Sequence, residues 1–129
     1  MSPPRPIRVL IVDDDPNALS ALGALLREPN RDVVLAHDGI DALVKLATFK
    51  PDVIVADVKM PRMDGRALYD AVAQLPIPTP RFVFMSAMAQ PDLEGNVRFV
   101  SKPIAIDRLA TLVDEAAHTM QSQTPWTTE

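Results

Sequence analysis

The chain has 129 residues, of which 47% are hydrophobic and none is cysteine, so one domain with an apolar core is expected and disulfide or thiolate chemistry is excluded. Its net charge of −4, from 13 basic and 17 acidic residues with the arginines scattered, argues against a fold-wide phosphate-binding surface. No run approaches the roughly 18 apolar residues of a membrane span, and Met1–Pro6 lacks the apolar stretch of a secretory leader. The expectation is a cytoplasmic protein with no membrane partner and no direct nucleic-acid contact.

Thirteen prolines, roughly twice the usual share, punctuate the chain into alternating short and long apolar pieces. Residues 1–7 read as an N-terminal extension, residues 8–121 as the domain and residues 122–129 as a polar tail or linker. Arg8–Asp13 is a continuous Ile/Val/Leu run, the pattern of a strand buried on both faces of a parallel sheet. Asp15-Pro16 is a helix start, with Asp15 as cap and Pro16 at the first helical position. That helix extends to about Arg27, with Leu19, Leu22, Leu25 and Leu26 on one side. Asp32–Ala36 is a second strand, and Asp38 caps a second helix that carries Ile40, Leu43, Val44 and Ala47 as its apolar stripe. Asp52–Asp57 is a third strand, and the loop Val58–Asp64 leads into a helix from about Gly65 to Gln74, broken by Leu75–Pro80. Arg81–Ser86 and Asn96–Ser101 are the fourth and fifth strands, and Ile104 to about Gln121 is the final helix.

Strands that alternate with helices imply βαβ units, here an α/β fold with a five-stranded, doubly wound parallel sheet in the order 2-1-3-4-5. Strands four and five are separated by only nine residues, Ala87–Gly95, where a parallel crossover takes about ten to twelve. The fourth helix is therefore expected to be short or degenerate.

In such a sheet, ligands bind beyond the carboxyl ends of the strands. Asp13 and Asp14 end strand one, Asp57 ends strand three, Ser86 ends strand four and Lys102 follows strand five. Clustered carboxylates repel one another unless a cation shares the site, and oxygen-only donors with few carboxylates point to Mg²⁺. A lysine and a hydroxyl on the same rim can hold phosphoryl oxygens, and an aspartate can itself be the nucleophile. Metal-assisted phosphoryl transfer onto a carboxylate is the chemistry that uses all five residues. Taken one at a time, each has a plainer role: a solvated loop acid, a strand-end hydroxyl, an exposed lysine.

The segments IVDDDP (Ile11–Pro16), VADVKMPRMDG (Val55–Gly65), MSA (Met85–Ala87) and VSKP (Val100–Pro103) together resemble the receiver domain of two-component response regulators, from about Arg8 to Met120. The resemblance implies a flavodoxin-like receiver fold that acts as a phosphorylation-dependent switch rather than as an enzyme with turnover. It implies Asp57 as phosphoacceptor, and Asp13 and Asp14 as the acidic pair that holds Mg²⁺ with the backbone carbonyl of Lys59. Ser86 is similar to the hydroxyl that senses the phosphoryl group, Lys102 to the lysine that pairs with it, and the Lys102–Pro103 bond is implied to be cis. Phe99 resembles the switch aromatic, with a buried structural phenylalanine as the other reading. Lys59 and Met88 resemble the positions whose side chains, in that family, flank the acceptor and influence phosphoryl lifetime. The partners implied are a histidine kinase or a histidine phosphotransfer protein, and a downstream protein target.

Two other function classes remain open at this point. One is an interaction module on the same fold that works without phosphate, which a truncated fourth helix would favour. The other is a phosphatase of the haloacid dehalogenase type, with Asp13 and Asp15 as its acids, although Pro16 stands where that pattern has glycine. Met60, Met63, Met85 and Met88 read as adaptable packing around loops. His37 and His118 lie away from the acid cluster in sequence, and Trp126 sits in the polar tail, either exposed or as a small docking anchor.

Overall fold

The protein is described by a computed structural model over residues 5–87 and 97–123. Five strands and four helices follow one another as β1 (Ile7–Val12), α1 (Pro16–Leu26), β2 (Arg31–Ala36), α2 (Gly39–Phe49), β3 (Val53–Asp57), α3 (Gly65–Ala73), β4 (Arg81–Ser86), β5 (Val97–Ser101) and α4 (Ile106–Gln123). The sheet has the order β2-β1-β3-β4-β5, and all four pairings are parallel. The segment in which a short fourth helix was expected, together with Met88, lies outside the described residues, so α4 here is the helix after β5. No helix among the described residues is long and apolar enough to cross a membrane.

The central strands read as continuous apolar runs because both faces of the sheet are covered. Side chains alternate across a strand, so the odd-numbered Val9, Ile11, Val53, Val55, Val83 and Met85 meet α1 and α4 through Leu19, Leu22, Leu26, Leu109 and Val113. The even-numbered Leu10, Val12, Ile54, Ala56, Phe82 and Phe84 meet α2 and α3 through Ala42, Leu46, Leu68 and Val72. Two long-range ion pairs tie elements together where β1, β2 and β3 begin. Arg5 reaches Asp52 through two bonds of 2.7 and 2.9 Å, and Arg31 reaches Asp114 on α4 through two of 3.0 Å while donating to the Leu26 carbonyl that ends α1.

The boundaries differ from expectation in small ways. β1 begins at Ile7, which pairs with Arg31, so the chain joins the sheet before Arg8. The last helix begins at Ile106 rather than Ile104, with the first turn closed by Leu109 N–H on the Ala105 carbonyl, and it runs on to Gln123. The inner faces of two helices also need correction. Leu25 is 58% exposed, outside the core that Leu19, Leu22 and Leu26 enter. On α2 the expected stripe faces outward: Ile40 is 51% and Val44 68% exposed, and Ala47 is exposed with them. The buried residues are Gly39, Ala42 and Leu46, with Leu43 half-buried between the two arcs. Both arcs of α2 are apolar, and the one with the smaller side chains lets the helix sit closer to the sheet and α3.

This orientation gives a direct test by chemical denaturation. Leu46→Ala should cost about 3 kcal/mol through the cavity it leaves. Val44→Lys should change stability by no more than about 0.5 kcal/mol, as at other exposed positions. The reverse order would restore the original assignment of the α2 face.

Candidate functional site

Parallel pairing puts the strand ends side by side. Val12 is in register with Ala56, Asp57 with Met85 and Ser86 with Ser101, so Asp13, Asp57, Ser86 and Lys102 succeed one another along one rim of the sheet. The pairing continues past each strand: Asp13 N–H donates to the Ala36 carbonyl at 3.2 Å, Val58 N–H to that of Met85 at 3.1 Å and Lys102 N–H to that of Ser86 at 2.8 Å. These bonds fix the backbone from which the functional side chains leave.

Asp13, Asp57 and Ser86 are buried, and Asp14 is exposed. One carboxylate oxygen from each of Asp13, Asp14 and Asp57 lies within 4.8 Å of the others. Lys102 Nζ donates to Asp57 Oδ2 at 2.7 Å, and the Lys59 N–H donates to Asp57 Oδ1 at 3.3 Å. Asp57, Val58, Lys59, Ser86, Ala87 and Lys102 line a cavity of about 230 Å³. The Lys102–Pro103 bond is cis. Asp15 caps α1 by accepting from Asn17 N–H at 3.0 Å, and its own N–H donates to Asp13 Oδ1 at 2.9 Å. The third acid of the Asp13–Asp15 run is thus a helix cap that also orients the first.

Other expected residues fall at varying distances from this rim. Phe99 is half-buried, its ring 5.5 Å from that of Phe84. The Lys59 side chain is exposed, Met60 and Met85 are buried and Met63 is half-buried. His37 is exposed and lies on Asp38 and Asp41, and His118 is exposed on α4. Trp126 lies outside the described residues. Gly65 carries a constraint that spacing alone did not reveal: a Cβ there would stand 2.6 Å from the Asp57 carbonyl oxygen and 2.9 Å from the Phe84 ring. Its N–H closes the loop from Val58 to Asp64 onto the Val58 carbonyl at 2.9 Å. The signal was the glycine beside the helix-capping Asp64.

Electrostatics at the rim follow from this crowding. Burial pushes the Asp13 carboxyl above its ordinary pKa; the Asp15 N–H opposes this, the charge of Asp57 adds to it, Lys102 opposes it and Asp14 adds to it. For Lys102, burial acts downward, but the hydrogen bond to Asp57 and the charges of Asp57, Asp13 and Asp14 outweigh it and leave the ammonium pKa raised. Three carboxylates with one lysine on Asp57 form an oxygen-only donor set with negative charge in excess, which suits a hard divalent cation.

Residues 9–114 match the family model of the response regulator receiver domain. The response regulator MprA of Mycobacterium ulcerans is 38% identical over 109 residues, which cover 80% of this chain and 47% of that protein. The transcriptional regulatory protein GlrR of Escherichia coli is 31% identical over 117 residues, covering 87% of this chain and 26% of that protein. The chain thus spans less than half the length of these relatives. Among solved structures, the receiver domain of the Francisella response regulator 1452 is 28% identical with a TM-score of 0.78, over 88% of this chain and 98% of that one. The receiver domain of an HD domain-containing protein from Pseudomonas fluorescens is 26% identical with a TM-score of 0.81, over 95% of each chain.

The raised pKa of Asp13 predicts how stability responds to charge. A carboxyl whose pKa is higher folded than unfolded stabilises most when protonated, and that contribution is lost as pH rises through its folded value. Ionisation of Asp13 therefore works against folding. Asp13→Asn, which keeps an acceptor for Asp15 N–H, should stabilise the metal-free domain at pH 7, seen as a higher midpoint in urea denaturation. Added Mg²⁺ should raise the midpoint of the wild type and leave that of the variant nearly unchanged. A destabilised variant would contradict the charge argument.

Proposed function

The chain belongs to the response regulator receiver domain family, and from that premise we propose that Asp57 is its phosphoacceptor and that the domain switches state when a histidine kinase or a histidine phosphotransfer protein delivers the group. The observation that carries this reading is the setting of Asp57: buried, yet opening into the cavity, with Lys102 Nζ at 2.7 Å on one carboxylate oxygen and two further carboxylates beside it. A carboxylate oxygen attacks the phosphorus, the bond from phosphorus to the donor nitrogen or oxygen breaks, and an acyl phosphate forms. The domain catalyses its own phosphorylation and dephosphorylation and turns over no separate substrate.

Asp13, Asp14, Asp57 and the Lys59 carbonyl would hold Mg²⁺, whose positive charge, when it is bound, offsets that of the carboxylates and of the incoming phosphoryl group. Lys102 exchanges its hold on Asp57 for the phosphoryl oxygens, at whose added charge the raised ammonium pKa keeps it cationic. Ser86, at the adjacent strand end on the cavity wall, offers a hydroxyl to the same oxygens. Lys102 N–H and the Ser86 carbonyl are bonded, so movement at Ser86 is felt on β5, where Phe99 leans on Phe84. A shift of these elements alters the surface offered to a downstream protein target. The domain acts in the cytoplasm, where its phosphodonors and protein target would be met.

Intact-protein mass after incubation with acetyl phosphate and Mg²⁺ tests this. A single phosphoryl adduct is expected on the wild type, none on Asp57→Asn and none when the metal is chelated. Lys102→Ala should still bind Mg²⁺ and label at least about tenfold more slowly. An adduct on Asp57→Asn, or none on the wild type with any phosphodonor, would overturn the assignment.

A further inference from the structure

The loop from Val58 to Asp64 is anchored at its ends by Lys59 N–H on Asp57 and Gly65 N–H on the Val58 carbonyl. A third anchor comes from a different part of the chain. Gly39 opens α2, and a Cβ built there would lie 2.7 Å from both Cγ and Sδ of Met63 and 2.9 Å from its Cβ. The last atom cannot swing away by side-chain rotation, so any side chain at residue 39 displaces the loop backbone. Beside it, the buried Asp38 gives Oδ1 to Asp41 N–H at 2.7 Å as the cap of α2, and its Oδ2 lies 3.4 Å from Arg62 Nη2. Arg62 has φ 68, a left-handed conformation that costs a residue with a Cβ and that marks a position held by its surroundings.

Loop and helix therefore meet at two consecutive residues on each side. We propose that the N-terminus of α2 is a positioning element for the phosphoacceptor loop: Gly39 leaves the seat that Met63 fills and Asp38 holds Arg62, so that Lys59 is presented to Asp57. Gly39, Asp38, Arg62 and Met63 are positioning residues that act through Lys59, whose N–H reaches Asp57 and whose carbonyl is the assigned metal ligand. The inference rests on the function proposed above. It adds that metal affinity is set partly by a helix none of whose residues touches the carboxylates.

The experiment is calorimetric titration of Mg²⁺ into the unphosphorylated protein, with the unfolding midpoint and acetyl phosphate labelling measured alongside. Gly39→Ala should weaken Mg²⁺ binding by about tenfold, as when a supporting residue of a metal site is lost. Gly39→Ala combined with Met63→Gly, which removes Cβ together with Cγ and Sδ, should return the affinity to within about twofold of the wild type, because the clash is gone. If Gly39→Ala does not fold, Asp38→Asn, which keeps the helix cap, carries the test and should weaken binding by about twofold. Unaltered affinity in a folded Gly39→Ala, or a loss that the double variant does not rescue, overturns the positioning role. A wild type that binds Mg²⁺ but takes no phosphoryl group overturns the phosphoacceptor assignment instead, with the positioning role still read from the titration.

Discussion

Two buried carboxylates on neighbouring strands set the terms for everything around them. Asp13 and Asp57 are forced together because Val12 and Ala56 are in register on β1 and β3, with Asp14 one residue further out. Their repulsion is the larger for being out of water. The structure answers it with Lys102, carried in by β5, and with backbone N–H groups of Asp15 and Lys59 aimed at the carboxylate oxygens. What is left over is a local excess of negative charge in a rigid frame, a setting that suits a hard divalent cation.

Rigidity at the rim comes from below. The sheet buries both faces, with α1 and α4 on one and α2 and α3 on the other, so the strand ends cannot drift without disturbing two cores at once. Arg31 binds the start of β2, the end of α1 and the middle of α4 into one corner, and at the same end of the sheet Arg5 ties the segment before β1 to Asp52 before β3. Above this frame the Val58–Asp64 loop joins β3 to α3. It is closed by Gly65, where the backbone passes too near Asp57 and Phe84 for any side chain, and it leans on α2 through Met63 and Arg62.

Much of this was legible in the amino-acid sequence because the signals are local. A run such as Val53–Ala56 is apolar without alternation only when a strand is covered on both sides. Asp15 and Asp38 each precede a helix and each accepts an N–H two or three residues on, as caps do. From these the strands, their order and the rim on which Asp13, Asp57, Ser86 and Lys102 meet could all be written down. Two things waited for the tertiary structure. One is the inward face of α2, where Ile40 and Val44 make as good an apolar stripe as Ala42 and Leu46. The choice turns on how closely a helix can approach its neighbours, a property of the packed layers that no periodicity contains. The other is contact between segments far apart in the chain: Lys102 on Asp57, Arg62 on Asp38 and Met63 against Gly39. The sequence by itself determined which residue types reach the strand ends. Distances between side chains, and with them the shifted pKa values and the seat for the acceptor loop, were decided only when the strands came into register, because electrostatic and steric forces act through space and not along the chain.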